Sequence, residues 1–200
     1  MQQALSLCSL ALTMSLLAIG SSARAAVVIW TGDATWATSA GGNGHRYEAV
    51  LLDSVITWTD ARDIALSRGG HLATITSAAE NSFVFSSLAS NPSLWDSSPS
   101  PMADGPYLGG FHSGAAGETW QWVTGETWDF TAWAPGEPNG VPGGPQGLSY
   151  WNPAGPSPTW FDHPPSDPTT RSLIVEYPIP SPSALALLSL TGIASRRRRS

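Results

Sequence analysis

The stretch TWTDARDIALSRGGHLATI, residues 57–75, carries a helix with both of its ends marked. Thr57 followed three places on by Asp60 has the form of a capping box. Trp58, Ala61, Ile64, Ala65 and Arg68 recur at helical spacing, and Gly69-Gly70 supplies the stop. HLATI then reads as a short connector or strand. A second helix starts at Ser77 with Glu80 as its N3 partner, shows one apolar face through Phe83, Val84 and Leu88, and ends near Leu88.

Working outward, VVIW at 27–30 reads as an edge strand and HRYEAVL at 45–51 as a second extended segment. Residues 89–106 form a loop without periodicity, after which YLGGF (107–111) and TWQWV (119–123) read as short strands. From Asp129 to Thr159 the chain is dominated by Gly, Pro and Trp, with hardly a stretch for regular structure. RSLIVEY, 171–177, closes as a buried strand. Helices early, strands late and a long ordered loop before the last strand predict an α+β domain in which first and last strands pair. A loop of that length inside a compact domain is read as functional.

Two hundred residues, reduced by processing segments at both ends, leave room for one domain. The chain is 42% hydrophobic but only 12% charged, with 20 Gly, 17 Pro and 10 Trp, which suits short strands joined by ordered loops and opposes disorder. It has no lysine. All fifteen acids lie between Asp33 and Glu176 against Arg46, Arg62, Arg68 and Arg171 alone, so the domain carries −11. Such a surface repels polyanions, which excludes nucleic acid as the expected partner and favours multivalent cations.

Residues 1–25 have an apolar run from Leu5 to Ile19 and end Ala23-Arg24-Ala25, the pattern of a signal peptide cleaved after Ala25, with an uncleaved anchor as the alternative. Cys8 lies inside that run, so the domain at 26–178 contains no cysteine. At the other end, IPSPSALALLSLTGIASRRRRS (179–200) is a proline pair, an apolar run from Ala184 to Ala194 and four arginines. Eleven residues reach ~17 Å as a helix against a hydrocarbon core of ~30 Å. A sorting signal is therefore expected, with a short weak membrane anchor as the alternative. The tail resembles the PEP-CTERM signal of bacterial exported proteins, Pro180-Ser181-Pro182 standing where that motif has Pro-Glu-Pro. This implies recognition by an exosortase, transient membrane contact through the tail alone, and release to the cell surface or extracellular matrix.

The domain's own landmarks come in a fixed order: the helix and GGHLA of 57–75, SAAENSFVFSSL (77–88), YLGG (107–110), Trp120-x-Trp122-x-x-Gly125, WAPGEPN (133–139) and TWFD (159–162). In this order they resemble the C-type lectin-like domain over about Asn43 to Tyr177. The resemblance implies that Trp58, Tyr107, Trp120 and Trp122 are core. It also implies two disulfides that this chain lacks: Ala65 and Val175 stand near one pair of cysteine positions, and Gly147 replaces a member of the other. Each absent bridge forfeits ~2–4 kcal/mol, to be recovered by packing and by any bound calcium.

The same resemblance gives the EPN turn a function. Calcium takes six to eight oxygens at ~2.3–2.6 Å, and Glu137 and Asn139, either side of Pro138, offer two of them. In sugar-binding relatives the proline is cis, a further acid follows downstream, and the Asn and Asp of a W-N-D motif complete the ring. Here Asp162 is kept, Phe161 replaces the Asn, and Pro145 or Gln146 stands where the acid is expected. The expected ligands are thus Glu137, Asn139, Asp162 and the neutral amide of Gln146, with formal charge reduced from −3 to −2. Such a set predicts calcium affinity in the weak ~10⁻⁴ to 10⁻³ M range or none. EPN order implies mannose-type sugars with equatorial vicinal hydroxyls, on which Trp151 or Phe161 would stack. The turn by itself is equally consistent with a backbone device, Gly136 and Gly140 serving the corner.

Catalysis is not expected. His45, His71, His112 and His163 show no paired spacing and no G-x-S-x-G elbow occurs. Two readings stay open: an exported calcium-dependent carbohydrate-binding module, and an extracellular matrix or protein-interaction module on the same scaffold without calcium or sugar.

Overall fold

The computed structural model describes residues 26–96, 103–140 and 144–179, so the expected leader at 1–25 and nearly all of the expected sorting tail lie outside the described residues. Among the described residues eight strands form one mixed, mostly antiparallel sheet: β1 (Val28–Thr35), β2 (Arg46–Ile56), β3 (His71–Leu72), β4 (Ala103–His112), β5 (Gln121–Trp122), β6 (Gln146–Asn152), β7 (Trp160–His163) and β8 (Thr170–Tyr177). Their order is β1-β2-β8-β4-β6-β7, with β3 added to β8 and β5 to β4. Helix α1 is Trp58–Ser67; α2 is Ala78–Val84, prolonged by a wider turn through Ala89. Among the described residues no helix is long and apolar enough to cross a membrane.

The helix starts follow from side-chain capping. Thr57 Oγ1 accepts from the Asp60 N–H at 3.0 Å and the Asp60 carboxylate accepts from the Thr57 N–H at 3.1 Å, which satisfies two otherwise free donors of α1. At α2, Ser77 accepts from the Glu80 N–H, but the Glu80 carboxylate does not fold back to Ser77. It takes the Thr76 N–H at 2.7 Å and reaches across to the Tyr47 hydroxyl and the Asn43 amide. Glu80 is buried, so a cap residue becomes the acceptor of a cross-domain network.

The last strand pairs with β2, not with the first strand, and β1 lies outside β2. Burial explains the difference. β2 and β8 are buried over most of their length on both faces, whereas Val28, Ile29 and Trp30 of β1 are exposed. Strand β4 starts before Tyr107, and the segment expected to lack regular structure contains β6. In β6, Leu148 and Tyr150 face one core while Gly147 and Ser149 face the other, so small and polar residues hide a strand buried on both sides. A Cβ on Gly147 would sit 2.6 Å from Trp58 Cγ. The tryptophan occupies the space beside Gly147 that any side chain at this position would need.

Two cores flank the sheet. One gathers Val50, Leu52, Tyr107, Leu173 and Val175 under Trp58, Ala61 and Ala65 of α1. The other holds Tyr47, Leu108, Leu148, Tyr150, Trp122 and Trp160 beneath α2 and the tryptophan-rich loops. Ala65 and Val175 are both fully buried in the first, so apolar packing joins the elements an absent disulfide would have tied.

Candidate functional site

Tryptophans position the EPN loop. Trp122 and Trp128 lie 4.3 Å apart by ring centroid, Trp120 and Trp133 4.9 Å, and Trp122, Trp133 and Phe130 each meet Trp160 edge-on. Large aromatics in such edge and offset contacts add to the stability from their buried area. The backbone follows: Trp160 N–H donates to Ala132 at 2.8 Å and Ala134 N–H to Trp160 at 2.9 Å, so residues 132–134 run alongside β7. Three residues later the chain turns at Glu137, whose N–H donates back to Ala134. This sets the turn beside Asp162.

The Glu137–Pro138 peptide is cis, and Gly136 occupies the left-handed region at φ 92°. Asp162 is buried and accepts two backbone donors, Asn139 N–H on Oδ1 and Gly140 N–H on Oδ2, both at 2.9 Å. The Asn139 side-chain amide donates to Glu137 Oε1 at 2.9 Å. Gln146, also buried, lies against Gly140: a Cβ there would fall 2.2 Å from Asp162 Oδ2 and 2.6 Å from the Gln146 amide carbon. Four residues spread over 26 positions of sequence thus meet at one rim.

Two oxygens at this rim have no donor. Glu137 Oε2 and Gln146 Oε1 are buried without a hydrogen-bond partner, which costs free energy unless something supplies positive charge or a donor. Burial, and then the neighbouring Asp162 carboxylate, push the Glu137 carboxyl up to about 7. The arrangement therefore holds either a proton or a cation between two acids. Among the described residues no three His, Cys, Asp or Glu side chains form a group that could hold a metal ion by themselves, so a cation here would meet two carboxylates and two amides. That set fits a weak, oxygen-only calcium site completed by water or ligand, and not a tight one.

Trp151 and Phe161 do not join this rim. Leu148 pairs with Asp162 and Gly147 with His163 across β6 and β7, so Phe161 and Asp162 point to opposite faces of the ribbon. Phe161 stacks on Trp151 at 5.5 Å and on His163 at 6.0 Å, on the face that carries Tyr107. Their expected stacking on a sugar held at Glu137 is incompatible with strand alternation. Trp122 is buried and Trp120 half-buried, both within the cluster that supports the loop.

One polar network had no trace in the motifs. Tyr47 donates to Glu80, and Glu176 accepts from the Thr74 N–H at 2.8 Å and lies against His45. His71 is a neighbour of Glu176 at 3.9 Å rather than part of any site at the loop.

No family model matches the chain, and no curated protein is similar to it in sequence. Solved structures do match. It is similar to the cow C-type carbohydrate-recognition domain of CD23, solved with a GlcNAc2Man3 oligosaccharide, at 18% identity and a TM-score of 0.51 over 68% of this chain and 89% of that one. It is similar to SPL-1 in complex with GlcNAc at 20% identity and a TM-score of 0.50, over 67% and 89%. A calcium-independent type II antifreeze protein aligns at 22% identity and a TM-score of 0.49, over 67% and 86%. At such identities the likeness shows the fold alone: the chain has the C-type lectin-like fold, of α+β class.

Proposed function

We propose that this is an exported C-type lectin-like binding protein whose EPN loop takes calcium weakly, through Glu137, Asn139, Asp162 and Gln146. The ligand is a surface glycan presenting equatorial vicinal hydroxyls of the mannose type. One observation carries the reading: Glu137 Oε2 and Gln146 Oε1 are buried without donors beside a second carboxylate. When bound, calcium would offset the repulsion between the two acids and offer its remaining positions to sugar hydroxyls. Asp162 orients the turn by accepting from Asn139 and Gly140, and Asn139 orients Glu137 through its amide. The CD23 domain and SPL-1 were each solved with a saccharide, which supports a glycan ligand and a binding role in place of catalysis.

Export rests on the sequence at both ends: an apolar leader cleaved after Ala25 and a PEP-CTERM-like tail from Ile179, removed by an exosortase-type enzyme. Surface display of many copies would turn weak single contacts into useful avidity.

Titrating the purified protein with calcium, with tryptophan fluorescence and Tm as readouts, tests the site, since Trp133 and Trp160 pack beside it. A rise in Tm at millimolar calcium that Glu137→Gln and Asp162→Asn both abolish is expected. A second reading has its own observation: both Asp162 oxygens already accept backbone donors, so the loop is closed without any ion. A flat response to millimolar calcium would leave that one, an extracellular scaffold for matrix or protein contacts.

A further inference from the structure

The face of β6 and β7 turned away from the EPN loop carries an aromatic pair with no place in either core. Trp151 and Phe161 are both half-buried and stack with centroids 5.5 Å apart and planes 26° from parallel. Neither packs against the core under α1 or the core under α2. Their further ring contact is Phe161 with His163, at 6.0 Å. An aromatic pair of this size left half in water forgoes much of the stabilisation its burial would bring.

Polar groups border the pair. Asp104 is the cross-strand partner of Trp151 in the β4–β6 ladder, and so stands on the same face. Its neighbour Asp96 is neutralised by Arg171, whose Nε lies 2.9 Å from Oδ1. Ser149 and His163 share the face but are buried beneath the pair, so Asp104 is the polar group at its edge. Phe161 stacks on both Trp151 and His163, so it backs the Trp151 ring, and an indole edged by a carboxylate acceptor suits a ligand with one C–H face and many O–H donors. The charge of −11 on the domain removes polyanions from consideration.

We infer that Trp151 and Phe161, with Asp104 at their edge, form a second, calcium-independent contact surface for a neutral polysaccharide, on the face of the sheet opposite Asp162. Pyranose rings stack on Trp151, which Phe161 holds in place, while Asp104 accepts hydroxyl hydrogens. This inference stands apart from the calcium reading: one face can fail without the other.

The test is co-sedimentation of the purified protein with insoluble cellulose, mannan and chitin in excess EDTA. Binding to at least one of them is expected. Trp151→Ala and Phe161→Ala should each weaken it about tenfold or more, Trp151→Phe should keep most of it, and Leu66→Ala, at an exposed position on α1, should leave it unchanged. Near-UV circular dichroism checks that each variant is folded; should Trp151→Ala unfold, Phe161→Leu decides by the same comparison. Absence of binding to all three polymers, or full binding by folded variants lacking either ring, overturns the inference. Loss of the calcium response with polymer binding intact would strike the EPN site alone.

Discussion

The backbone N–H of Asn139 lies 2.9 Å from Oδ1 of Asp162, 23 residues further along the chain. That hydrogen bond, doubled by Gly140 on Oδ2, joins the EPN turn to β7 where no disulfide or regular strand pairing holds it. Asp162→Asn keeps the shape of the side chain but replaces one accepting oxygen with a donor facing a backbone N–H. Because the group is buried and charged, the change should cost about 1.5–3 kcal/mol, read as a lower urea midpoint at unchanged m-value. Full stability in the variant would mean the turn is held by the tryptophans alone.

Protonation of Glu137 gives a pH dependence with a definite sign. Burial, then Asp162, raise its folded pKa to about 7 from 4.5, so between those values the folded chain binds more protons than the unfolded one. Stability in EDTA should therefore fall as pH rises through that window and level off above it. Glu137→Gln should flatten the fall. Calcium must displace the same proton, so its apparent affinity should rise across the window by at most tenfold per pH unit. Isothermal titration in buffers of different ionisation enthalpy counts the proton released.

Gly140 is fixed by space and not by backbone angle. A methyl group there would meet Asp162 Oδ2 and the Gln146 amide at distances that atoms do not sustain. Gly140→Ala should abolish any calcium response and shift the fluorescence of the tryptophan cluster, while far-UV circular dichroism stays that of the parent.

Tyr47 links β2 to α2 through its hydroxyl, which donates to buried Glu80 and accepts from Asn43 at 2.8 Å. Tyr47→Phe leaves Glu80 short of a donor in the interior. A loss of about 1–3 kcal/mol is expected from thermal or urea unfolding, with calcium behaviour untouched. This separates the stability of the scaffold from the chemistry of the loop.

The helices were legible because their signals are local. The Thr57–Asp60 box, the spacing of Trp58, Ala61 and Ala65, and Gly69-Gly70 all act within a turn or two of the chain. Strand β6 was not legible, since Gly147 and Ser149 look like loop residues until Trp58 and Tyr107 are packed against their face. Glu80 read as a cap partner because nothing nearby in sequence announces Tyr47 or Asn43.

The residue types that could make a cation site, Glu137, Asn139, Gln146 and Asp162, and the order of the motifs around them, are properties of the sequence alone. Which of them share a rim is a property of the tertiary structure. Strand alternation sends Asp162 to the EPN loop and Phe161, its neighbour by one bond, to the far side of the sheet with Trp151. A period-two backbone separates adjacent side chains by the thickness of a sheet, and only the pairing register, set by long-range packing, decides which side each one takes.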